Sequence, residues 1–282
     1  MSKTSLIRFA LLALASAGLW VAVTQQPPAV ELTIDKVADD LFILVGGGGN
    51  VGVYITGEGV ILIDDKFDQH VVQIVAKVRS LTEQPIRYVL NTHHHGDHTG
   101  GNQKLLQGAD IIAHENARAN MVRLSQPGVP RITFADRTSV VLGGKEVRAQ
   151  HYSRGHTNGD AVIYFPARKT VHMGDMFVAG APYIDYSAGG SGLEWTGTLA
   201  AVLGMDVETV IPGHGPLMKK DDLAQWKKSF ETARNRISDL RRQGKTKEEV
   251  AKLLNLDDLA GFKPSRNWSE RSLPGLFDEL SR

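Results

Sequence analysis

The twelve residues "LNTHHHGDHTGG", Leu90–Gly101, place four histidines and one aspartate within six consecutive positions, directly after the run "IRYVL" that ends at Leu90. A short apolar run of that kind predicts a buried strand, so the histidines stand where a strand gives out. In extended backbone, side chains alternate between faces, which sends His93 and His95 the same way and His94 the other. Gly96 lets the chain turn sharply, and Asp97 and His98 can then face the same place from a second side. Two histidines facing an aspartate–histidine pair suggest a site for two ions. Neutral imidazole and carboxylate suit zinc, and iron or manganese would also accept a set without thiolate.

Outward from this stretch, the chain reads as strands and helices in alternation. The runs "LTIDKV", "LFILVG", "VGVYITG" and "GVILIDD" between residues 32 and 65 are short, β-rich and separated by turn residues, which predicts a four-strand meander. Helical spacing over 69–81 leads into "IRYVL", and the order repeats with "ADIIAH" and "ENARANMVRL". Strands follow at "TSVVLGG", "EVRAQHY", "DAVIYFP" and "KTVHMGD", then a helix over 194–203 and the strand "ETVIPGHG". "GGGGNVG", 46–52, has no following Lys-Ser/Thr and opens a strand, so it reads as a mobile hairpin at the rim of a site and not as a phosphate loop. In the last sixty residues, Leu223, Trp226, Phe230, Ala233, Ile237 and Leu240 recur at steps of three and four. That stripe predicts a helix docked on the parent domain, since it is too short for a coiled coil. "TKEE" at Thr246 has the form of a capping box.

Composition narrows the classes. The 282 residues are 42% hydrophobic, and 32 basic side chains face 31 acidic ones, so no charge pattern recommends nucleic acid or an anionic membrane as a partner. Cysteine is absent, which removes disulfides, thiolate ligands and a cysteine nucleophile together. Lys3 and Arg8 precede the apolar run "FALLALASAGLWVAV", which reads as a secretory signal over 1–24 in preference to an uncleaved inner-membrane anchor. The expected location is therefore periplasmic or secreted. A linker over 25–31 would follow, then a catalytic domain over 32–219 and a helical extension over 220–282 packed on it.

Beyond the central stretch, Asp64 in "LIDD", His156 in "GHTNGD", Asp175 in "HMGD" and His214 in "IPGHG" each stand where an apolar run meets a glycine-bearing turn or a strand end. Taken in order with "THHHGDH", these elements resemble the signature of the metallo-β-lactamase-fold hydrolases, over roughly residues 32–215. The resemblance implies an α/β protein of the αβ/βα sandwich type, two sheets face to face with helices outside, here with a C-terminal helical extension. It implies that His93, His95 and His156 hold one ion, that Asp97, His98 and His214 hold a second, and that Asp175 bridges them. Asp64 is similar to the family's aspartate that orients a ligating imidazole. Cysteine-ligand β-lactamases carry cysteine where this chain has Asp175, whereas the glyoxalase II-like and lactonase-like branches carry this aspartate. The electron-transferring di-iron branch has glutamate where this chain has His95.

The implied activity is that of a binuclear zinc hydrolase in which metal-bound hydroxide opens a small ester, thioester, lactone or β-lactam, with Asp97 orienting the hydroxide. The alternatives are an iron-dependent oxidoreductase similar to sulfur dioxygenases, or a catalytically silent metal- or partner-binding domain. Asp65 reads as a solvated turn carboxylate, and Asp160 as ambiguous. His70, His114, His151 and His172 match no ligand position, and Tyr183 and Tyr186 are candidates to line the pocket.

Overall fold

A computed structural model describes residues 30–281; the signal segment and most of the linker read above lie outside the described residues. The first sheet runs in chain order: β1 (Thr33–Ala38), β2 (Leu41–Val45), β3 (Val51–Ile55), β4 (Val60–Ile63), β5 (Ile86–Leu90), β6 (Asp110–His114) and β7 (Ile132–Phe134). Its first four strands are the expected antiparallel meander. From β4 to β7 the strands are parallel, as they must be when helices make the return crossings. The second sheet holds β8 (Arg137–Leu142), β9 (Lys145–Gln150), β10 (Val162–Phe165), β11 (Thr170–His172), β12 (Thr209–Ile211) and β13 (Met218–Lys219).

Helices α1 (Val71–Leu81), α2 (Gly96–Thr99), α3 (Asn102–Leu105), α4 (Glu115–Arg123) and α5 (Trp195–Leu203) lie between strands, and α6 (Lys220–Arg242), α7 (Lys247–Leu253) and α8 (Leu273–Glu279) close the chain. None of the helices among the described residues is long and apolar enough to cross a membrane.

The period-2 rule shows why β4 is apolar throughout. Val60 and Leu62 pack outward with Val71, Ile74 and Val78 of α1, while Ile61 and Ile63 pack inward with Val147, Ile163 and Phe165 of the second sheet. Both faces are covered, so no polar position is left on the strand. On the far side of the second sheet, Val162, Val171 and Val210 meet Trp195 and Leu199 of α5 and the stripe of α6. Four layers result: helix, sheet, sheet, helix.

The tail stripe docks on this domain. Leu223, Trp226, Phe230, Ala233 and Ile237 are all buried, and the Trp226 ring lies 6.0 Å from Trp195 and 5.6 Å from Phe230. Fully burying an aliphatic or aromatic side chain stabilises by about 1.5–3 kcal/mol, so these residues hold the extension against the domain without a disulfide. Thr246 caps α7 reciprocally with Glu249. Three elements depart from expectation. The helix expected from residue 69 starts as a tight 3₁₀ turn, Asp68–His70, before α1, and β7 and β13 are too short for a periodic signal.

Candidate metal centre

The parallel strands deliver the polar residues to one edge of the sandwich. Asp64 follows β4, His93 and His95 follow β5, Asp175 follows β11 and His214 follows β12, while His156 comes from the β9–β10 loop. Ends of strands in open α/β layers are where sites form, because side chains there leave the packed core. One ligand atom each from His93, His95, His156 and Asp175 lies within 4.8 Å of the others, and the same holds for Asp97, His98 and His214. The structure thus brings all seven expected ligands together, in the two groups the resemblance implies. Asp175 reaches both: Oδ2 lies 3.6 Å from His156 Nε2, and Oδ1 lies 3.2 Å from His98 Nε2 and 3.4 Å from His214 Nε2.

Each of four imidazoles is fixed by its other nitrogen, the arrangement that sets a ligand's tautomer. Asp64 is wholly buried at φ +63°; Oδ1 accepts from Thr92 N (2.7 Å), and Oδ2 accepts from Thr92 Oγ1 (2.7 Å) and His98 Nδ1 (2.8 Å). Thr92 Oγ1, its proton committed to Asp64, accepts from His93 Nδ1 at 3.1 Å. One aspartate therefore orients an imidazole in each group. His156 Nδ1 donates to the Tyr183 carbonyl at 2.6 Å, and His95 Nε2 donates to Asp185 Oδ2 at 2.9 Å. His93 Nε2, His98 Nε2 and Asp175 Oδ1 are buried and have no hydrogen-bond partner among the described residues. Buried polar atoms cost stability unless paired, and an N/O set of this kind fits a divalent transition metal.

The electrostatics favour cations. Burial opposes the charged forms of His98 and His214, yet Asp175 with Asp64 holds His98 well above the ordinary histidine range, and Asp175 with Asp97 raises His214 to about 9. Burial likewise works against ionised Asp97, but His214 and His98 bring it down to about 2. The field that retains protons on these imidazoles would equally hold dications. His93 and His156, shifted down chiefly by burial, the latter to about 4, are neutral and ready to ligate.

Glycines shape the cover of the site. A Cβ on Gly49 would stand 2.2 Å from the His98 ring, and one on Gly213 would stand 2.0 Å from Asp175 Oδ1. The glycine stretch lies at the rim, as expected, but it is anchored: Asn50 Nδ2 donates to the carbonyls of Pro212 (2.9 Å) and Gly215 (2.8 Å), and buried Lys66 Nζ donates to that of Gly49. Lys66, brought down to about 8 by burial against the pull of Asp97 and Asp64, gave no sequence signal. Asp65 is not solvated: it is fully buried, with Oδ1 accepting from Gly101 N at 2.9 Å. Asp160 is also buried and braces the turn after His156 by accepting from Thr157 N and Oγ1.

His70, His114 and His172 are buried packing residues. Tyr183 stacks on His95 at 5.9 Å between centroids, whereas Tyr186 turns away to donate to Glu279. Sequence reasoning missed Thr92 and Asp185; an aspartate within "APYIDYSAGG" gives no signal until the fold sets it beside His95.

Known proteins resemble this chain in sequence and in fold. The model of the metallo-β-lactamase superfamily matches residues 44–214, well over half of the chain. Hydroxyacylglutathione hydrolase of Crocosphaera subtropica is 30% identical over 115 residues, 41% of this chain and 42% of the relative. The 2,4-dinitroanisole O-demethylase subunit alpha of a Nocardioides species is 28% identical over 135 residues, 46% of this chain and 41% of the relative. The chain thus spans less than half the length of these curated relatives. A metallo-β-lactamase from Pontibacter korlensis shares the fold with TM-score 0.64 at 21% identity, covering 71% of this chain and 99% of that one. FIM-1 from Pseudomonas aeruginosa, in its mono-zinc form, does so with TM-score 0.66 at 20% identity, covering 73% and 98%. The chain belongs to the metallo-β-lactamase superfamily of metallohydrolases.

Proposed function

We propose that this protein is an exported binuclear zinc hydrolase acting on a small ester, thioester, lactone or β-lactam. The observation that carries the reading is the convergence of three buried, unpartnered atoms, His93 Nε2, His98 Nε2 and Asp175 Oδ1, with their outer nitrogens and neighbours already satisfied. His93, His95 and His156 would hold one ion and Asp97, His98 and His214 the other, with Asp175 shared. Two such dications supply Lewis acidity, acidifying water and polarising a carbonyl.

The chain's own residues do the rest. Asp97, too acidic at about 2 to retain a proton, serves to orient the attacking water by accepting its hydrogen bond. Asp64, Asp185 and the Tyr183 carbonyl keep the imidazoles in their ligating tautomers, so the site does not reorganise during reaction. The anchored glycine stretch closes one flank without side chains, leaving His214, whose side chain is 40% exposed, on the open side where substrate arrives. The name of the first curated relative supports a thioester; the leader at 1–24 supports an extracytoplasmic substrate.

The test is to purify the mature protein with its native metals, sequence its N-terminus, and assay a β-lactam, a lactone, a thioester and a phosphodiester with and without chelator, recording oxygen uptake alongside. Two zinc ions, chelator-sensitive hydrolysis and an N-terminus beyond the apolar run are expected. Oxygen consumption with iron, or hydrolysis indifferent to metal removal, would reject the reading.

A further inference from the structure

We propose that His94, His95 and Asp185 form a third cation site, for zinc or a similar divalent transition metal, abutting the pair described above. His94 lies past the end of β5, in the bend that leads to α2; it belongs to neither ligand group of the pair and is grouped instead with His95 and Asp185. His94 is 1% exposed, its Nδ1 has no hydrogen-bond partner among the described residues, and its ring centroid lies 4.6 Å from that of His95. One ligand atom from each of His94, His95 and Asp185 lies within 4.8 Å of the others, the same closeness that marks the two expected groups.

The three side chains are held for this. Asp185 Oδ1 is fully engaged, accepting from Ser187 N (3.0 Å), Ser187 Oγ (2.6 Å) and Ala188 N (3.2 Å), which leaves Oδ2 to face His95 Nε2 at 2.9 Å. His95 presents Nδ1 inward, 2.9 Å from His156 Nε2, and Nε2 outward to Asp185. A third ion takes the place of the Nε2 proton, which leaves to solvent, and the His95 ring then bridges two ions through its two nitrogens. Its negative charge and that of Asp185 balance the dication. With side chains 22% and 10% exposed, His95 and Asp185 leave an entry path. Two imidazoles and one carboxylate select zinc, copper or nickel over calcium or magnesium.

The other histidines outside the pair lack this combination. His114 and His151 stack at 4.2 Å, but each has a backbone partner, the carbonyls of Ala135 and Asp160. His70 has two unpartnered nitrogens but joins no ligand group among the described residues.

The bridging role of His95 rests on the metal pair proposed above, and the test separates the two. Zinc-loaded wild type and His94→Phe are dialysed against rising free zinc, with metal per chain and hydrolysis measured together. Wild type should take up one ion more per chain than the variant. Its activity should fall about tenfold as that ion displaces the His95–Asp185 hydrogen bond, while His94→Phe keeps its activity. Identical uptake curves would overturn the proposal. Zinc anomalous diffraction from wild-type crystals at saturating zinc decides the matter even if the variant fails to fold: a peak among His94, His95 and Asp185 is expected, and no density there overturns the site. Failure of the metal pair would appear instead as missing tight ions in both proteins, with the increment between them unaffected.

Discussion

Replacing Asp64 with asparagine keeps shape and tolerance of positive φ while changing only hydrogen-bond chemistry, so it isolates the outer support of the site. The native carboxylate accepts three hydrogen bonds, from Thr92 N, Thr92 Oγ1 and His98 Nδ1. In Asp64→Asn the amide oxygen must stay on Thr92 N, which has no other way to be satisfied, so the NH2 faces His98 Nδ1. That nitrogen must then accept, and the proton moves to Nε2, the atom that faces Asp175. A protonated Nε2 cannot ligate. The expected loss of metal affinity is about 10–100-fold, the usual cost of losing such a partner, or about 1.4–2.8 kcal/mol at 1.4 per decade. Asp64→Ala loses in addition both Thr92 contacts and places alanine at φ +63°, so its metal-free fold should fall by roughly a further 1–3 kcal/mol for the unsatisfied buried groups. Competition against a chromophoric chelator gives the affinities, and melts of the metal-free protein give the stabilities. An Asp64→Asn protein that binds two ions with wild-type affinity would refute the argument that Asp64 acts by setting a tautomer.

Asp175→Asn should keep the fold but reduce metal from about two ions per chain towards one, because a neutral amide no longer offsets repulsion between adjacent dications. Hydrolysis should fall by at least roughly 10–100-fold, and metal analysis with turnover numbers checks both. In the metal-free protein His214 has a pKa raised from 6.5 to about 9, since Asp175 and Asp97 outweigh its burial. Its contribution to stability is complete below about pH 6.5 and is lost as pH rises through about 9. Melting temperature in chelator should therefore drop across that window, and less so in His214→Ala; equal slopes in the two proteins would count against it. Trp226→Ala, which empties the junction between α5, α6 and the second sheet, should cost about 3–5 kcal/mol in denaturant melts.

Much of this was legible in the sequence because two strong signals coincide in it. Apolar runs bounded by turn residues marked β1 to β6 and β8 to β12, and the polar residues with chemistry sit directly after several of those runs. His93, His95, Asp97 and His98 were grouped from extended alternation and one glycine, and the structure groups them so, although β5 ends at Leu90 and the histidines stand in the bend beyond it. Asp185 and Thr92 were not legible, since their roles depend on which imidazole the fold sets beside them. Asp65 misled for a related reason: charged residues after a strand usually face water, but here the turn at Gly101 covers it, as the glycine stretch covers Lys66, which gave no signal. Sequence predicts that a stripe like that of α6 must be buried, and only the fold says it is buried against Trp195.

The central claim is that seven side chains from three strand ends and one loop hold two ions through a shared Asp175. Anomalous diffraction at the zinc edge from crystals of the natively loaded mature protein tests it most directly. Two peaks about 3.5–4 Å apart are expected, one among His93, His95 and His156, the other among Asp97, His98 and His214, with Asp175 touching both. A single peak away from Asp175, or none, would contradict the account.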